Sequence, residues 1–254
     1  MTFTSDGVAL VVGGSGGLGA AIARLLAERG SNVAVTFRAN ESAGTTTAAS
    51  CREWGVRSSA YRLDVGSSTD CADVVAKVVE EYGGLHTLVH AAGPHVPIVH
   101  LSRVAPDDMA RQLADDAGGF FNVVHPALTH LRADGGSIVA VTTAATARYP
   151  VRDGLSAGPK GAVEALVRGL AAEEGRFGVR VNAVGPGMLT DGMAARLITS
   201  GELSEAALDV TRDNIPLRRF GNARDIAEAV CFLASDAAGF ISGQKLDVDG
   251  GYTV

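Results

Sequence analysis

The chain has 254 residues, 46% of them hydrophobic and 20% charged, with a net charge of −6. That length suffices to bury a core without disulfide or metal staples, and the acidic balance without any clustered Lys/Arg run argues against a nucleic-acid surface. Cys51, Cys71 and Cys231 are odd in number, far apart and without a CxxC pair, so neither a disulfide framework nor a zinc site is expected and a reducing compartment suits the chain. Met1–Asp6 has no basic stretch leading into an apolar core, and no apolar run reaches the roughly 18 residues of a membrane span. The expectation is a soluble cytoplasmic protein with no membrane partner.

In chain order, the apolar run Val8–Val12 ends in glycines, and Leu18, Ile22, Leu25 and Leu26 then recur at helical spacing up to Gly30. This reads as strand, turn, helix and stop. The alternation continues with a strand at Asn32–Phe37, a helix over Glu41–Trp54, a strand at Arg57–Leu63, a helix over Ser67–Tyr82 and a strand at His86–Ala91. A Pro-containing loop after Gly93 leads to one long helix over Asp107–Leu131, a strand at Ser137–Thr142, a helix over Ser156–Arg176 and a sixth strand at Val179–Val184. Strands separated by helices imply parallel pairing through right-handed crossovers, and strands apolar on both faces imply helices covering both sides. The expected fold is α/β: one doubly wound parallel sheet over residues 1–254, without linkers or repeats. Between the sixth strand and a helix over Ala223–Ser235, residues 188–213 break the rhythm. That insertion lies beyond strand carboxyl ends, where ligands bind such sheets, and reads either as a substrate lid or as a surface excursion.

Gly13-Gly14-Ser15-Gly16-Gly17-Leu18-Gly19 closes a strand and opens a helix. Glycines there let the backbone approach a pyrophosphate and leave the helix N-terminal N–H groups free for its oxygens, so a nicotinamide dinucleotide is the expected ligand. An acidic residue ending the second strand would bind the ribose hydroxyls, but Thr36, Phe37 and Arg38 stand there. Arg38 can clamp a 2′-phosphate, which favours NADP(H) over NAD(H), or it can simply be a solvated strand-end arginine.

These residues together resemble the short-chain dehydrogenase/reductase family, in its 3-oxoacyl-carrier-protein reductase-like branch, over essentially the whole chain. Its TGxxxGxG turn matches Val12-Gly13 through Gly17-Leu18-Gly19, with valine for threonine. Asp64-Val65 is similar to the adenine-contacting pair, Ala91-Ala92-Gly93 to the end of NNAG, and Val181–Val184 with Pro186-Gly187 to the segment beside the nicotinamide. The threonine expected four residues after that glycine is Asp191, with Thr190 one place early. Ile215-Pro216-Leu217, Asp225-Ile226-Ala227, Ser242-Gly243 and Val248–Gly251 follow in the family's order. The resemblance implies a Rossmann-type fold, a small ketone or acyl substrate, and a homo-oligomer, dimer or tetramer, with a related subunit as a further option.

The family's YxxxK motif falls on Ser156-Ala157-Gly158-Pro159-Lys160, so the lysine is present and the tyrosine is not. Thr143 lies thirteen residues before Ser156, the family's spacing from its carbonyl-polarising hydroxyl, and the family's helix asparagine falls on Asp116. A phenol with pKa near 10, lowered by a lysine ammonium, normally transfers the proton; a serine hydroxyl is far less acidic and stops a ring short. The site residues expected to carry chemistry are Thr143, Lys160, Ser156 and Asp116. Asp116 serves either as proton donor or as partner of Lys160, and Lys160 either holds the nicotinamide ribose or is a solvated remnant. His95 and His100 can titrate near neutrality but read as exposed. Tyr149 and Asp153 lie near the mouth at the wrong spacing from Lys160, and His86, His90, His95 and His100 have no metal-ligand spacing. Two functions are compatible with the pattern. One is a ketone reductase with an altered proton path, acting on a β-keto, aromatic or polyketide-like substrate. The other is a dinucleotide-binding protein without redox turnover, either an inactive partner subunit or a dehydratase or cyclase using the old pocket.

Overall fold

The structure, a computed structural model, describes residues 3, 6–93, 96–191 and 205–254. Strands β1 (Val8–Val12), β2 (Val33–Phe37), β3 (Ser58–Arg62), β4 (Leu85–His90), β5 (Ser137–Val141), β6 (Arg180–Pro186) and β7 (Lys245–Val248) form one sheet in the order β3-β2-β1-β4-β5-β6-β7. Every pair is parallel. Helices α1 (Gly17–Glu28), α2 (Glu41–Arg52), α3 (Ser68–Tyr82), α4 (Pro106–Leu113), α5 (Gly119–Asp134), α6 (Gly154–Glu174), α7 (Glu205–Asp213) and α8 (Ala223–Ala234) complete the described elements.

The period-two geometry of β1 divides the core. Val8, Leu10 and Val12 face one layer with α3, α5 and α6, while Ala9 and Val11 face the other with α1, α2 and α8. All five β1 residues are fully buried, which is why the strand is apolar without alternation. The order reverses between β1 and β4, so a crevice opens where their carboxyl ends diverge.

Two features depart from the sequence expectation. The long helix over Asp107–Leu131 is two helices, α4 and α5, joined by a π-helical turn at Ala114–Gly118 that brings Asp116 into the interior. The seventh strand is absent from the periodic pattern because its inward side chains are charged. Lys245 Nζ lies 2.9 Å from Asp247 Oδ1 and 3.4 Å from Glu164 Oε1, and donates to Thr146 Oγ1 at 2.5 Å. Leu246, between the two charges, is the exposed side chain.

The insertion after β6 is described only at its two ends. Residues 192–204, the middle of the expected lid, lie outside the described residues. Asp191 accepts from the Ala223 N–H at 2.6 Å, at the first turn of α8, where Asn222 and Asp225 form a reciprocal cap. Among the described residues, no helix is long and apolar enough to cross a membrane.

Candidate active site

Between β1 and α1 the chain turns through Gly13 at φ +83°, where a side chain would meet the backbone of Ala92 at 2.8 Å. At Gly19 a Cβ would sit 2.3 Å from the Gly13 carbonyl oxygen, so glycine alone lets the first turn of α1 close on the loop. The Thr36 hydroxyl accepts from the Gly13 N–H at 3.1 Å, tying the turn to the end of β2.

The N-termini of α2, α3 and α8 are capped by Asn40, Ser67 and Asn222. That of α1 begins at Gly16 with no side-chain cap and no acid in its first turn. Its unsatisfied N–H groups are the donors an anion requires. They open on a groove of 290 Å³ lined by Gly13, Ser15, Gly16, Arg38, Asp64, Val65, Ala91, Ala92 and Gly93, all expected from the sequence. Gly17, Leu18 and Gly19 form the first turn of α1 behind it. Thr36, Phe37, Leu63, Gly66 and Asp115 also line the groove. Thr36 and Phe37 stand at the strand end already singled out, whereas Leu63, Gly66 and Asp115 carry no signal in the sequence that ties them to the groove. Asp64 accepts from the Gly66 N–H, and Asn122 donates to the Val65 carbonyl at 2.9 Å, which fixes the loop after β3.

At the end of β4 the groove meets an ion pair. Lys160 Nζ lies 2.7 Å from Asp116 Oδ1, and the Gln112 amide donates to the other carboxylate oxygen at 3.3 Å. Asp116 is 1% exposed, and a Cβ on Gly93 would lie 3.3 Å from Lys160 Nζ. Asp116 is thus paired with Lys160, the contact that one of its two sequence readings requires. Below it, His90 is 2% exposed and packs edge-on against Phe120. Burial first, with the Lys160 charge second, pushes His90 down to about 3, so this imidazole stays neutral.

A second cavity, of 560 Å³, lies beyond the ends of β5 and β6. Its wall is largely apolar, with Ile98, Ala144, Ala145, Pro150, Val151, Met188 and Ile215, and it also contains Pro186 and Gly187. Its polar groups include Thr143, Arg152, Asp153, Asn214 and Tyr252. Such a balance suits a largely apolar small molecule oriented by a few hydrogen bonds. The Thr143 hydroxyl accepts from the Ala145 N–H at 3.2 Å, which leaves its own proton to donate. Thr146 and the buried Lys245–Glu164 pair brace the same short turn from behind.

Ser156 lies on α6 one turn before Lys160, half-buried, and is among the lining residues of neither cavity. Asp153, one turn earlier still, lines the second cavity, and burial pushes its carboxyl up to about 6. Spacing from Lys160 alone concealed it. Tyr149 is exposed and outside both cavities. Thr190 is exposed and its hydroxyl donates to the Gly221 carbonyl at 3.3 Å. His100 is exposed, and His95 lies outside the described residues. Among the described residues, no group of three or more His, Cys, Asp or Glu side chains could hold a metal ion.

The family model described as enoyl-(acyl carrier protein) reductase matches residues 12–253. Versicolorin reductase 1 of Dothistroma septosporum is 34% identical over 98% of this chain and 97% of its own length. The 3-oxoacyl-(acyl-carrier-protein) reductase FabG of Staphylococcus epidermidis is 32% identical, over 96% and 97%. Among solved structures, a short-chain dehydrogenase from Burkholderia cenocepacia in complex with NADP superposes with a TM-score of 0.89 at 30% identity, covering 98% of this chain and 99% of that one. With the groove at the β1/β4 crevice and the cavity beyond β5 and β6 disposed as described, the chain belongs to the short-chain dehydrogenase/reductase family and is an oxidoreductase of its 3-oxoacyl-carrier-protein reductase-like branch.

Proposed function

We propose that the chain is an NADP(H)-dependent reductase of a ketone, β-keto, aromatic or polyketide-like, that draws its proton from a source other than tyrosine. The carrying observation is the junction at the carboxyl ends of β4, β5 and β6. The dinucleotide groove ends at Gly93 against the Lys160–Asp116 pair, and Thr143 and Pro186-Gly187 at the next two strand ends open on the apolar cavity.

The uncapped start of α1 fits a pyrophosphate, and NADPH when bound would supply a hydride from its nicotinamide ring. The chain's own residues do the rest. Gly13, Ser15 and Gly16 present backbone at the phosphates, while Asp64 and Val65 edge the adenine end. Lys160, held by Asp116, offers its remaining N–H donors to the ribose hydroxyls, and Pro186-Gly187 with Thr190 would flank the nicotinamide. Thr143 donates to the substrate carbonyl oxygen and stabilises the negative charge that builds there. Residues at the described ends of the 188–213 segment, Met188 and Thr211 among them, already line the cavity, in keeping with a lid. Assembly as a homo-oligomer is part of this reading.

The preference for the 2′-phosphate rests on Arg38, exposed at the end of β2 on the groove wall, with Arg62 donating to the Arg38 carbonyl at 3.4 Å. No carboxylate at the end of β2 opposes a phosphate there. A charge-assisted hydrogen bond contributes about 1.5–3 kcal/mol. Calorimetric titration should therefore show Arg38→Ala weakening NADPH binding by roughly 10- to 100-fold, with NADH changed by less than about threefold. Tighter binding of NADH than of NADPH by the unaltered protein would contradict the cofactor reading.

A further inference from the structure

We propose that Asp153 is the catalytic acid, donating the proton to the substrate carbonyl oxygen in place of the absent tyrosine. This rests on the ketone-reductase reading above and names the proton source of that same site.

Three observations of geometry carry it. Asp153 lines the cavity that contains Thr143, so both side chains border the space a carbonyl would occupy. Although it stands at the N-cap of α6, Asp153 caps nothing with its side chain: the Ser156 and Ala157 N–H groups bond to its backbone carbonyl instead. A half-buried carboxyl with no hydrogen-bond donor or ion-pair partner among the described residues is stabilised in its neutral, proton-carrying form. Finally, Asp153, Ser156 and Lys160 fall at i, i+3 and i+7, a stripe along one face of α6. The tyrosine position in the middle carries only a serine hydroxyl, while Asp153, one turn earlier on the same stripe, is the member that lines the cavity.

Two other groups bear comparison. Asp116 is committed to Lys160 and does not line the cavity. The Tyr252 ring lies under the Arg148 guanidinium, 4.5 Å from its centroid. Among the described residues, the ionisable side chains sharing the cavity wall with Asp153 are Arg152 and Tyr252, and burial is the cause of its shift, to about 6.

The step balances. As hydride from the reduced nicotinamide dinucleotide adds to the carbonyl carbon, the C=O π pair moves to oxygen. The Asp153 O–H bond breaks and its proton passes to that oxygen, giving the alcohol and a carboxylate that regains a proton from water.

The test compares the unaltered protein with Asp153→Asn, Asp153→Glu and Tyr252→Phe. A ¹³C NMR titration of the carboxyl in the dinucleotide-free protein should follow Asp153 with a midpoint near 6, absent from the Asn variant. An acid acts while protonated, so kcat/KM should fall as pH rises through that midpoint. Asp153→Asn should lose 10²- to 10⁴-fold in kcat together with this limb, keeping its NADPH affinity and melting temperature, with the limb returning in Asp153→Glu. If the unaltered protein reduces ketones and Asp153→Asn keeps both kcat and the limb, or if the limb disappears in Tyr252→Phe instead, the assignment fails and the reductase reading stands. If the unaltered protein binds NADPH and reduces no ketone, both fail.

Discussion

Asp116→Ala should lower the free energy of unfolding by about 3–5 kcal/mol, because it strands the Lys160 ammonium in the interior without its counter-charge. Lys160 is 13% exposed and Asp116 1%, so the ammonium meets water only from the groove side and the buried carboxylate position is not made good by solvent. In a chain of this size the melting temperature should drop by roughly 6–20 °C. The pair's worth differs from the cost of breaking it. Removing both charges, as in Asp116→Leu with Lys160→Met, should recover much of the loss, because the desolvation of two ions is then no longer paid. Urea denaturation of the single and double variants measures this directly, and equal destabilisation by both would contradict the view that the buried unpaired ammonium is the cause. The double variant should still bind NADPH more weakly than the unaltered protein, since Lys160 is the proposed ribose ligand.

Thr143→Val is expected to cost 10²- to 10³-fold in kcat with little change in NADPH affinity. Valine keeps the shape and removes the hydroxyl donor proposed to act on the carbonyl oxygen alongside the Asp153 acid. The hydroxyl accepts from the Ala145 N–H at 3.2 Å, and its proton is left to donate. Serine at the same position keeps that donor and should retain most of the rate. Stopped-flow measurement of the hydride step separates this from an effect on binding. Equal rates in Thr143→Val and the unaltered protein would remove Thr143 from the mechanism.

Much of this was legible in the sequence where one physical signal acts alone. β1 and α1 announced themselves because burial on both faces makes a strand continuously apolar, and the glycines of the turn between them answer to steric demands that no other residue meets. The groove followed, since Arg38, Asp64 and Ala91–Gly93 each stand at a strand end. What escaped were the places where two demands compete. The π turn at Ala114–Gly118 preserves helical periodicity on either side while turning Asp116 inward, so spacing showed one helix. In β7 the inward residues are Lys245 and Asp247, whose mutual pairing and contact with Glu164 replace the apolar signal. Asp153 was passed over because its distance in sequence from Lys160 differs from that of the tyrosine position. Three-dimensional placement restores it: the cavity wall begins a full turn before Ser156.

Oxidation of NADPH by the unaltered protein, followed by absorbance loss at 340 nm across a panel of β-keto esters and polycyclic aromatic ketones, tests the central claim most directly. The reading predicts saturable, ketone-dependent NADPH consumption with a stoichiometric alcohol product, despite serine at position 156. Tight NADPH binding without consumption by any ketone would contradict it and leave the chain a dinucleotide-binding protein without redox turnover.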